Sequence, residues 1–264
     1  MKELEIIVCA KQIPDPEAPL SDVRVDTEKK EVIVDAPQVI SPFDENALEA
    51  ALRIKEEVGA KITVLSMGKK VSDQVMRKSL AAGADKLIFL QDDAFENLDS
   101  YSIASVLADA IRKIGEYDLV LTGRQAGDWD FGQVGLILGE LLGIPCVSLA
   151  REIKVKDGNV LAKKIVLGGY EEVKAKLPAL VTASNEVGEL RYISKTKMLA
   201  MLRGAAPIPI WKSADFVSAG EKLQKKNIVQ LSSPPDMRRD CEMLEGGTPV
   251  EKAEKLVGIF KSLR

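Results

Sequence analysis

The first 143 residues alternate between short apolar runs and amphipathic segments, and this alternation restricts the possible folds more than any other feature of the chain. Continuous apolar runs are typical of strands that are buried on both faces of a parallel sheet. The runs are residues 4–10, 61–67, 86–90 and 119–121, and helical patterns occupy 45–58, 72–82, 99–114 and the segment that begins near Gly135. Because such β–α–β connections are right-handed, we predict an α/β fold with a doubly wound, mostly parallel, Rossmann-like sheet.

The pattern changes after residue 143. Residues 147–156, 160–167 and 170–177 are alternating segments separated by hairpin-type turns, which predicts antiparallel strands attached to the main sheet. Residues 179–183 predict another buried strand, and residues 22–26 and 31–34 predict a separate hairpin. The fold class is therefore α/β with added antiparallel strands.

The last part of the chain lacks a core pattern. Residues 204–211 are rich in proline and nonperiodic, and residues 215–239 show no helical or strand periodicity. An amphipathic helix follows at 248–263, where Thr248 and Glu251 have the spacing of a capping box. We divide the chain into a nucleotide-binding α/β domain (1–190), a recognition segment and linker (191–220) and a C-terminal arm (221–264). The arm is expected to pack on another subunit, and packing on its own domain is an equally weighted alternative.

Histidine is absent from all 264 residues, which limits the catalytic and metal-binding chemistry that the side chains of this chain can provide. His-based triads, imidazole metal sites and the usual proton shuttle at neutral pH are not available to this chain. The three cysteines are far apart and form no CxxC motif, so no metal site is predicted. No side chain is assigned a catalytic role, and any chemistry is expected to come from a bound cofactor.

Charge and hydropathy argue against two further classes of protein, those that bind nucleic acids and those that span a membrane. The 37 basic and 40 acidic residues are well mixed and give a net charge of −3, which does not indicate nucleic-acid binding. No apolar run reaches the roughly 18 residues that a membrane span requires, so direct membrane insertion is not expected. We expect the protein in the cytoplasm, reaching a membrane surface only through partner subunits.

A strand, a glycine-bearing turn and a helix start follow one another in residues 118–137. Gly123, Ala126, Gly127 and Gly132 precede the helix that contains Gly135. Free N–H groups at a helix N-terminus bind anions, and glycines allow a phosphate to approach the chain. The spacing is neither GxGxxG nor a P-loop, so a phosphate site is only modestly favoured over a plain connection with glycines for packing.

Two other segments are expected near the same sheet edge. Cys9, Ala10 and Lys11 follow the first strand, where ligands bind in doubly wound sheets. Cys9 fits a small buried side chain equally well. Ser41 and Pro42 precede the next helix, and capping by Ser41 with Pro42 at the first helical position is the favoured interpretation there.

Taken in order, the motifs resemble the beta subunits of electron transfer flavoproteins over nearly the whole chain. The matching segments are residues 8–12, 14–15, 41–44, 81–85, 123–126, 130, 133–135, 168–173, 177–182 and 191–192. Residues 11–15, 123–126, 133–135 and 204–215 are more similar to the electron-bifurcating and Fix-type branch than to the mitochondrial one. Leu167, Trp129, Phe131, Ser41 and Lys195 depart from the family pattern.

The resemblance implies a heterodimer with an alpha subunit that carries the redox FAD. It implies that the beta subunit's sheet is of the type that binds adenine nucleotides, and that it holds a second FAD, which accepts a hydride from NADH. Electrons then go to the alpha-subunit FAD, toward a high-potential acceptor, and to ferredoxin or flavodoxin. Lys195, where acyl-CoA-dehydrogenase-directed members often carry Leu, favours a quinone-directed or Fix-like complex over a dehydrogenase as the downstream partner. The alternative is that Lys195 is only a solvated surface charge.

Two alternatives remain open at this stage. In a conventional carrier the beta subunit holds a structural AMP instead of FAD. In a stand-alone ATP- or AMP-binding protein there is no alpha subunit, and the long arm argues against this.

Carried over onto this sequence, the resemblance also implies which residues bind the cofactor, with the phosphates near Gly132, Gln133 and Val134. The full set is Cys9, Ala10, Ser41, Pro42, Phe43, Asp44, Ser66, Met67, Gly123, Arg124, Gln125, Ala126, Asp128, Asp130, Gly132, Gln133, Val134 and Gly135.

Overall fold

The computed structural model describes residues 3–203, 206–220, 223–233, 241 and 243–262. The strands are β1 (Leu4–Cys9), β2 (Gln12–Pro14), β3 (Val23–Asp26), β4 (Glu31–Val34), β5 (Gln38–Ile40), β6 (Ala60–Gly68), β7 (Lys86–Gln91), β8 (Leu119–Gly123), β9 (Cys146–Lys156), β10 (Asn159–Val166), β11 (Gly169–Lys176), β12 (Ala179–Ala183) and β13 (Ile210–Trp211). The helices are α1 (Pro42–Val58), α2 (Asp73–Ala82), α3 (Ser100–Ile114), α4 (Val134–Leu142), α5 (Lys195–Arg203), α6 (Val217–Gly220) and α7 (Pro249–Ser262).

One sheet of nine strands organises the chain, in the order β11-β10-β9-β12-β8-β1-β6-β7-β13. All neighbours from β9 to β13 pair in parallel, and β10 and β11 are added at one edge in antiparallel pairing. The predicted fold class is therefore confirmed. The predicted hairpin is also present, as the separate two-stranded sheet of β3 and β4.

The central strand β1 shows why the apolar runs are continuous. Ile6 and Val8 belong to the core that contains α1 and α2, whereas Ile7 and Cys9 belong to the core that contains α3 and α4. Successive side chains of a strand point to opposite faces. Both faces of this sheet are covered by helices, so β1 is apolar from Ile6 to Cys9, and Glu5 near its start is its one charged residue.

The predicted antiparallel pairing is confirmed between β9 and β10, but it does not describe the whole of β9. β9 pairs in parallel with β12, and only its second half pairs with β10 in antiparallel orientation. β12 in turn lies between β9 and β8 and is parallel to both. Alternation in a sequence reports which faces of a strand are exposed. It does not report the partner strand, so this topology was not accessible from the pattern.

Two short pairings were missed. Ile210 and Trp211, in the stretch predicted to be nonperiodic, form β13 at the edge of the sheet beside β7. Phe216 follows them and is 6% exposed, with its ring centroid 6.2 Å from that of Trp211. The second missed pairing joins β2 and β5, across the prolines that were expected to end regular structure. Both pairings are too short to produce a periodic pattern.

The C-terminal helix α7 begins with the predicted capping box. The Glu251 N–H donates to Thr248 Oγ1 at 3.2 Å, and the Thr248 N–H donates to Glu251 Oε2 at 3.2 Å. All of its described side chains are exposed, including Val250, Val257 and Phe260. Within the described ranges, no helix has the length and apolar character needed to cross a membrane.

Candidate functional site

A cavity of about 380 Å³ opens at the carboxyl ends of β1, β6 and β8. The connection from β1 through α1 leads to β6 on one side of β1, whereas α3 leads to β8 on the other side. This reversal of strand order leaves a crevice between the connections, which is where doubly wound sheets bind ligands. We call this cavity the cleft.

Most of the residues that were predicted for a site meet in the cleft, although they come from four separate segments of the chain. They are Cys9, Ala10, Asp44, Met67, Gly123, Arg124, Gln125, Ala126, Asp128, Gly132, Gln133, Val134 and Gly135. The other five predicted residues, Ser41, Pro42, Phe43, Ser66 and Asp130, do not line it.

Three of these five support the cleft from behind. Ser41 is fully buried, and its Oγ accepts the Gly127 N–H at 3.3 Å, which attaches the loop before α4 to the start of α1. Ser41 is at the predicted N-cap position and Pro42 at the predicted first helical position, but the Ser41 side chain makes no capping bond to α1. The Phe43 ring lies under the Arg124 guanidinium, 4.8 Å from its central carbon.

The other two act on the loop and on the end of β6. Asp130 Oδ1 accepts a hydrogen bond from Gln125 Nε2 at 2.7 Å, so it folds the loop onto itself. Its φ of 54° lies in the left-handed region, which Asp tolerates better than most residues. Ser66 is 1% exposed, and its Oγ has no hydrogen-bond partner among the described residues.

Asp44 is the one buried carboxylate of the cleft and connects two strand ends. Its Oδ2 accepts the Lys11 N–H at 2.8 Å, and its Oδ1 accepts the Gly123 N–H at 3.0 Å. Burial raises the pKa of Asp44 to about 7, although the two N–H donors and the Lys11 ammonium oppose this and only Asp128 adds to it. A Cβ on Gly123 would lie 2.7 Å from Asp44 Oδ1, so glycine is required at this contact.

The start of α4 provides an anion-binding end of the cleft. The chain reaches it through Gly132, whose φ is 62°, and the cleft is lined by Gln133, the N-cap, and Val134, the first helical residue. A Cβ on Gly135 would lie 2.6 Å from Thr122 Oγ1 and 2.9 Å from Thr182 Cγ2, so glycine lets α4 pack closely on β8 and β12. The first N–H groups of a helix have no intrahelical partners. Together with the positive end of the helix dipole, they form a common binding site for anions.

An apolar wall forms another part of the cleft, and sequence reasoning did not find it. Its side chains are Leu65, Phe95, Leu98, Ile103 and Leu107. Ile103 and Leu107 were recognised only as the apolar face of a helix, because the periodicity does not show that part of this face borders a cavity. A wall of this kind suits a flat, weakly polar ring.

Charged and aromatic side chains surround the rest of the cleft. Its cations are Lys11, Lys69, Lys70, Arg124 and Lys226, and its acids are Asp44, Glu96 and Asp128. The excess of cations favours an anionic ligand. Trp129 and Phe131 lie at the solvent end, where they are 38% and 50% exposed and their ring centroids are 5.8 Å apart. Lys226 was missed because it comes from the segment without a pattern.

Cys9 is a structural part of the cleft wall. It is 8% exposed, and burial, with a smaller contribution from the Asp44 carboxylate, raises the pKa of its thiol to about 12. The thiol is therefore protonated at neutral pH, which suits a packing role. The described part of the chain contains no group of three or more Cys, Asp or Glu side chains that could hold a metal ion.

Comparison with known proteins places this fold and cleft in one family. The model of the electron transfer flavoprotein domain matches residues 31–215. The chain is 35% identical to the subunit CarD of the caffeyl-CoA reductase–Etf complex of Acetobacterium woodii, over 98% of each chain. It is 34% identical to the electron transfer flavoprotein subunit beta of Clostridium acetobutylicum, over 96% of this chain and 94% of the relative. It is 35% identical to the protein FixA of Bradyrhizobium diazoefficiens, over 90% of this chain and 85% of the relative. The chain therefore belongs to the electron transfer flavoprotein family, as a member of the group of beta subunits and FixA proteins.

Proposed function

We propose that the cleft binds FAD and that the chain acts as the beta subunit of an electron-bifurcating electron transfer flavoprotein. The observation that carries this proposal is that one cavity joins an apolar wall to the N-terminus of α4 at the switch point of the sheet. An adenine nucleotide has the matching parts, a flat ring at one end and phosphates at the other.

The residues present fit such a cofactor. Leu98, Ile103 and Leu107 would hold the adenine ring, and the N–H groups of Gly132 to Gly135 would hold the phosphates. When bound, FAD supplies the redox chemistry, in which it accepts a hydride from NADH and passes electrons on singly. The chain's own contribution is to bind and orient the cofactor and to exclude water from one side of it.

Partner subunits belong to the same proposal. Relatives of this chain are named as subunits of electron transfer flavoproteins and of reductase–Etf complexes, which supports an alpha subunit as partner. The exposed apolar side chains Val250, Val257 and Phe260 of α7 support the prediction that the C-terminal arm packs on that subunit.

Downstream contacts are proposed from the linker. Lys195 is exposed at the start of α5, so the recognition segment of 191–220 presents a charge where acyl-CoA-dehydrogenase-directed relatives are expected to present Leu. This supports a quinone oxidoreductase over a dehydrogenase as the high-potential acceptor, with ferredoxin or flavodoxin as the low-potential one. A cytoplasmic location, with membrane contact only through a partner, is part of this proposal.

AMP is the second candidate for the cleft. Trp129 and Phe131 stand at its solvent end, and the Lys226 ammonium lies 4.0 Å from the centroid of the Trp129 ring. These side chains border the side on which a cofactor larger than AMP would extend. A conventional carrier, with a structural AMP in this subunit and one FAD in the alpha subunit, would fit that arrangement.

The test is a cofactor count on the complex that is co-expressed with its alpha subunit. Two flavins per heterodimer, both reduced by NADH, would support the bifurcating function. One flavin and one AMP would support the conventional carrier and contradict bifurcation. A chain that purifies without an alpha subunit and without flavin would point to a stand-alone ATP- or AMP-binding protein.

A pair of variants tests whether the second cofactor binds in the cleft. Gln133→Asp places a carboxylate at the start of α4, where it repels phosphate but favours the helix. Gln133→Asn is the matched neutral control. We expect the aspartate variant to lose the beta-subunit nucleotide and to keep the alpha-subunit flavin. If both variants retain the same amount of beta-subunit nucleotide, the nucleotide binds outside the cleft.

A further inference from the structure

The C-terminal arm returns to the cleft before it leaves the domain. The Asp99 N–H donates to the Gln224 carbonyl at 3.0 Å, and the Lys226 N–H donates to the Asn97 carbonyl at 2.8 Å. The Gln224 N–H donates to Ser102 Oγ at 2.9 Å. Main-chain bonds thus fix residues 223–226, which we call the strap, along residues 97–102 at one wall of the cleft.

The strap brings the Lys226 side chain into the cleft. Its Nζ lies 4.0 Å from the ring centroid of Trp129 and 5.9 Å from that of Phe131. Among the described residues no carboxylate lies within ion-pair distance of it, and Asp128 pairs with Lys11 instead, at 2.5 Å. Burial lowers the pKa of Lys226, and the nearby Lys11 ammonium lowers it further, against a smaller opposing effect of Asp128.

Such a position is unfavourable for an ammonium without a ligand. A partly buried cation loses hydration, and two ring faces replace only part of it. The rings that contact Lys226 belong to residues 129 and 131, and the next residues, Gly132 and Gln133, lead directly into the N-terminus of α4. Lys226 therefore lines the same cavity as Gly132, Gln133 and Val134 at the N-terminus of α4.

We propose that Lys226 binds a phosphate group of the nucleotide in the cleft, so that the strap supplies a phosphate-binding residue from outside the α/β domain. This inference rests on the proposed function, since it requires an adenine nucleotide in the cleft. The phosphate monoester of AMP and the diphosphate of FAD present the same chemistry to an ammonium. In either case nucleotide affinity depends on the arm being docked.

The test separates the phosphate from the rest of the ligand. Dissociation constants for AMP, FAD and adenosine are measured by calorimetry on the full chain in complex with its alpha subunit, after the beta-subunit nucleotide has been removed. Lys226→Gln removes the charge, Lys226→Arg retains it, and Lys225→Gln is the matched control at the exposed neighbouring position.

We expect Lys226→Gln to weaken AMP or FAD about tenfold, since a hydrogen bond to a charged group contributes at least that factor. Adenosine affinity should stay the same in all variants, and Lys226→Arg and Lys225→Gln should bind AMP as the wild type does. A loss confined to FAD identifies the diphosphate as the group bound, and a loss for AMP identifies the monoester.

Two results would overturn the inference in distinguishable ways. If Lys226→Gln binds AMP and FAD as tightly as the wild type does, or loses adenosine to the same extent, Lys226 only covers apolar surface and the proposed function still stands. If the wild type itself binds neither AMP, FAD nor adenosine, the proposed function fails, and this inference fails with it.

Discussion

The carboxylate of Asp44 accepts the N–H of Gly123 at 3.0 Å, which joins the first turn of α1 to the end of β8. Its other oxygen accepts the Lys11 N–H, so three chain segments that are distant in sequence meet at one side chain. The group is 7% exposed, and burial raises its pKa to about 7.

The raised pKa predicts a pH-dependent contribution of Asp44 to stability. In the unfolded chain the carboxyl ionises near its ordinary value of 3.8, whereas in the folded protein it keeps its proton to about pH 7. The folded state therefore binds more protons between these values. The free energy of unfolding of the wild type should fall as pH rises from 4 to 7, with a slope of at most about 1.4 kcal/mol per pH unit from this group.

Comparison with Asp44→Asn isolates this contribution, because all other groups titrate in both proteins. Urea unfolding of nucleotide-free protein at several pH values should show the wild type losing stability relative to the variant as pH rises. Asp157→Asn, at an exposed hairpin turn, controls for the loss of one acidic residue. An opposite slope would mean that the two N–H donors lower the pKa by more than burial raises it.

A second prediction concerns the close packing of α4 on the sheet. Gly135→Ala places a methyl group 2.6 Å from Thr122 Oγ1, so the helix must move away from β8 and β12. We expect a loss of about 1–3 kcal/mol in the free energy of unfolding, the usual cost of overpacking. Because the same turn forms the anion-binding end of the cleft, AMP affinity should fall as well.

Gly258→Ala in α7 is the matched control for this helix glycine. Among the described residues, no atom lies within 4 Å of the Cβ that it would add. Since alanine favours helix over glycine by about 1 kcal/mol, this variant should be neutral or slightly more stable. Thermal and urea unfolding measure the stability of both variants relative to the wild type. A Gly135→Ala variant as stable as the wild type would contradict the packing argument.

The third prediction concerns Glu49, which attaches the linker to α1. Glu49 is 5% exposed, and its Oε2 accepts hydrogen bonds from the Arg191 N–H at 3.1 Å and from Arg191 Nε at 3.0 Å. Burial acts against ionisation, but the hydrogen bonds from Arg191 and Arg53 outweigh it and lower the pKa of Glu49. Glu49→Gln leaves Arg191 with an incomplete partner and should cost about 2 kcal/mol in stability.

The exposed ion pair of Glu3 with Lys61 supplies the control. The two side chains are 3.1 Å apart and about half exposed. Glu3→Gln should therefore change the free energy of unfolding by less than about 0.5 kcal/mol. Equal effects of the two substitutions in urea unfolding would show that Glu49 contributes no more than a surface charge does.

A fourth prediction concerns cysteine reactivity. Cys9 is buried and the pKa of its thiol is raised to about 12, whereas Cys241 is exposed. Since the thiolate is the reactive form, iodoacetamide at pH 7.5 should modify Cys241 at least about tenfold faster than Cys9. Peptide mass spectrometry over a time course measures both rates. Fast modification of Cys9 would show that the cleft wall opens.

Local patterns in the sequence determined the secondary structure of the α/β core. The mostly apolar runs predicted β1, β6, β7 and β8, because burial on both faces favours apolar side chains at successive positions of a strand. Glycines and the position of Pro42 likewise predicted where helices begin and end. The residues of the cleft that lie next to strand ends, such as Ala10 and Gly123, followed from the general rule for doubly wound sheets.

Only the tertiary structure decided which segments meet. The parallel pairing of β9 with β12, the attachment of β13 to the sheet edge and the approach of Lys226 to Trp129 all join residues that are far apart in sequence. A local pattern predicts whether a side chain is buried, but it does not predict which residue covers it. Sequence alone therefore determined the main helices and strands of the α/β core and one part of the cleft. The short strands β2, β5 and β13, the apolar wall and the strap depended on long-range packing, which no periodicity encodes.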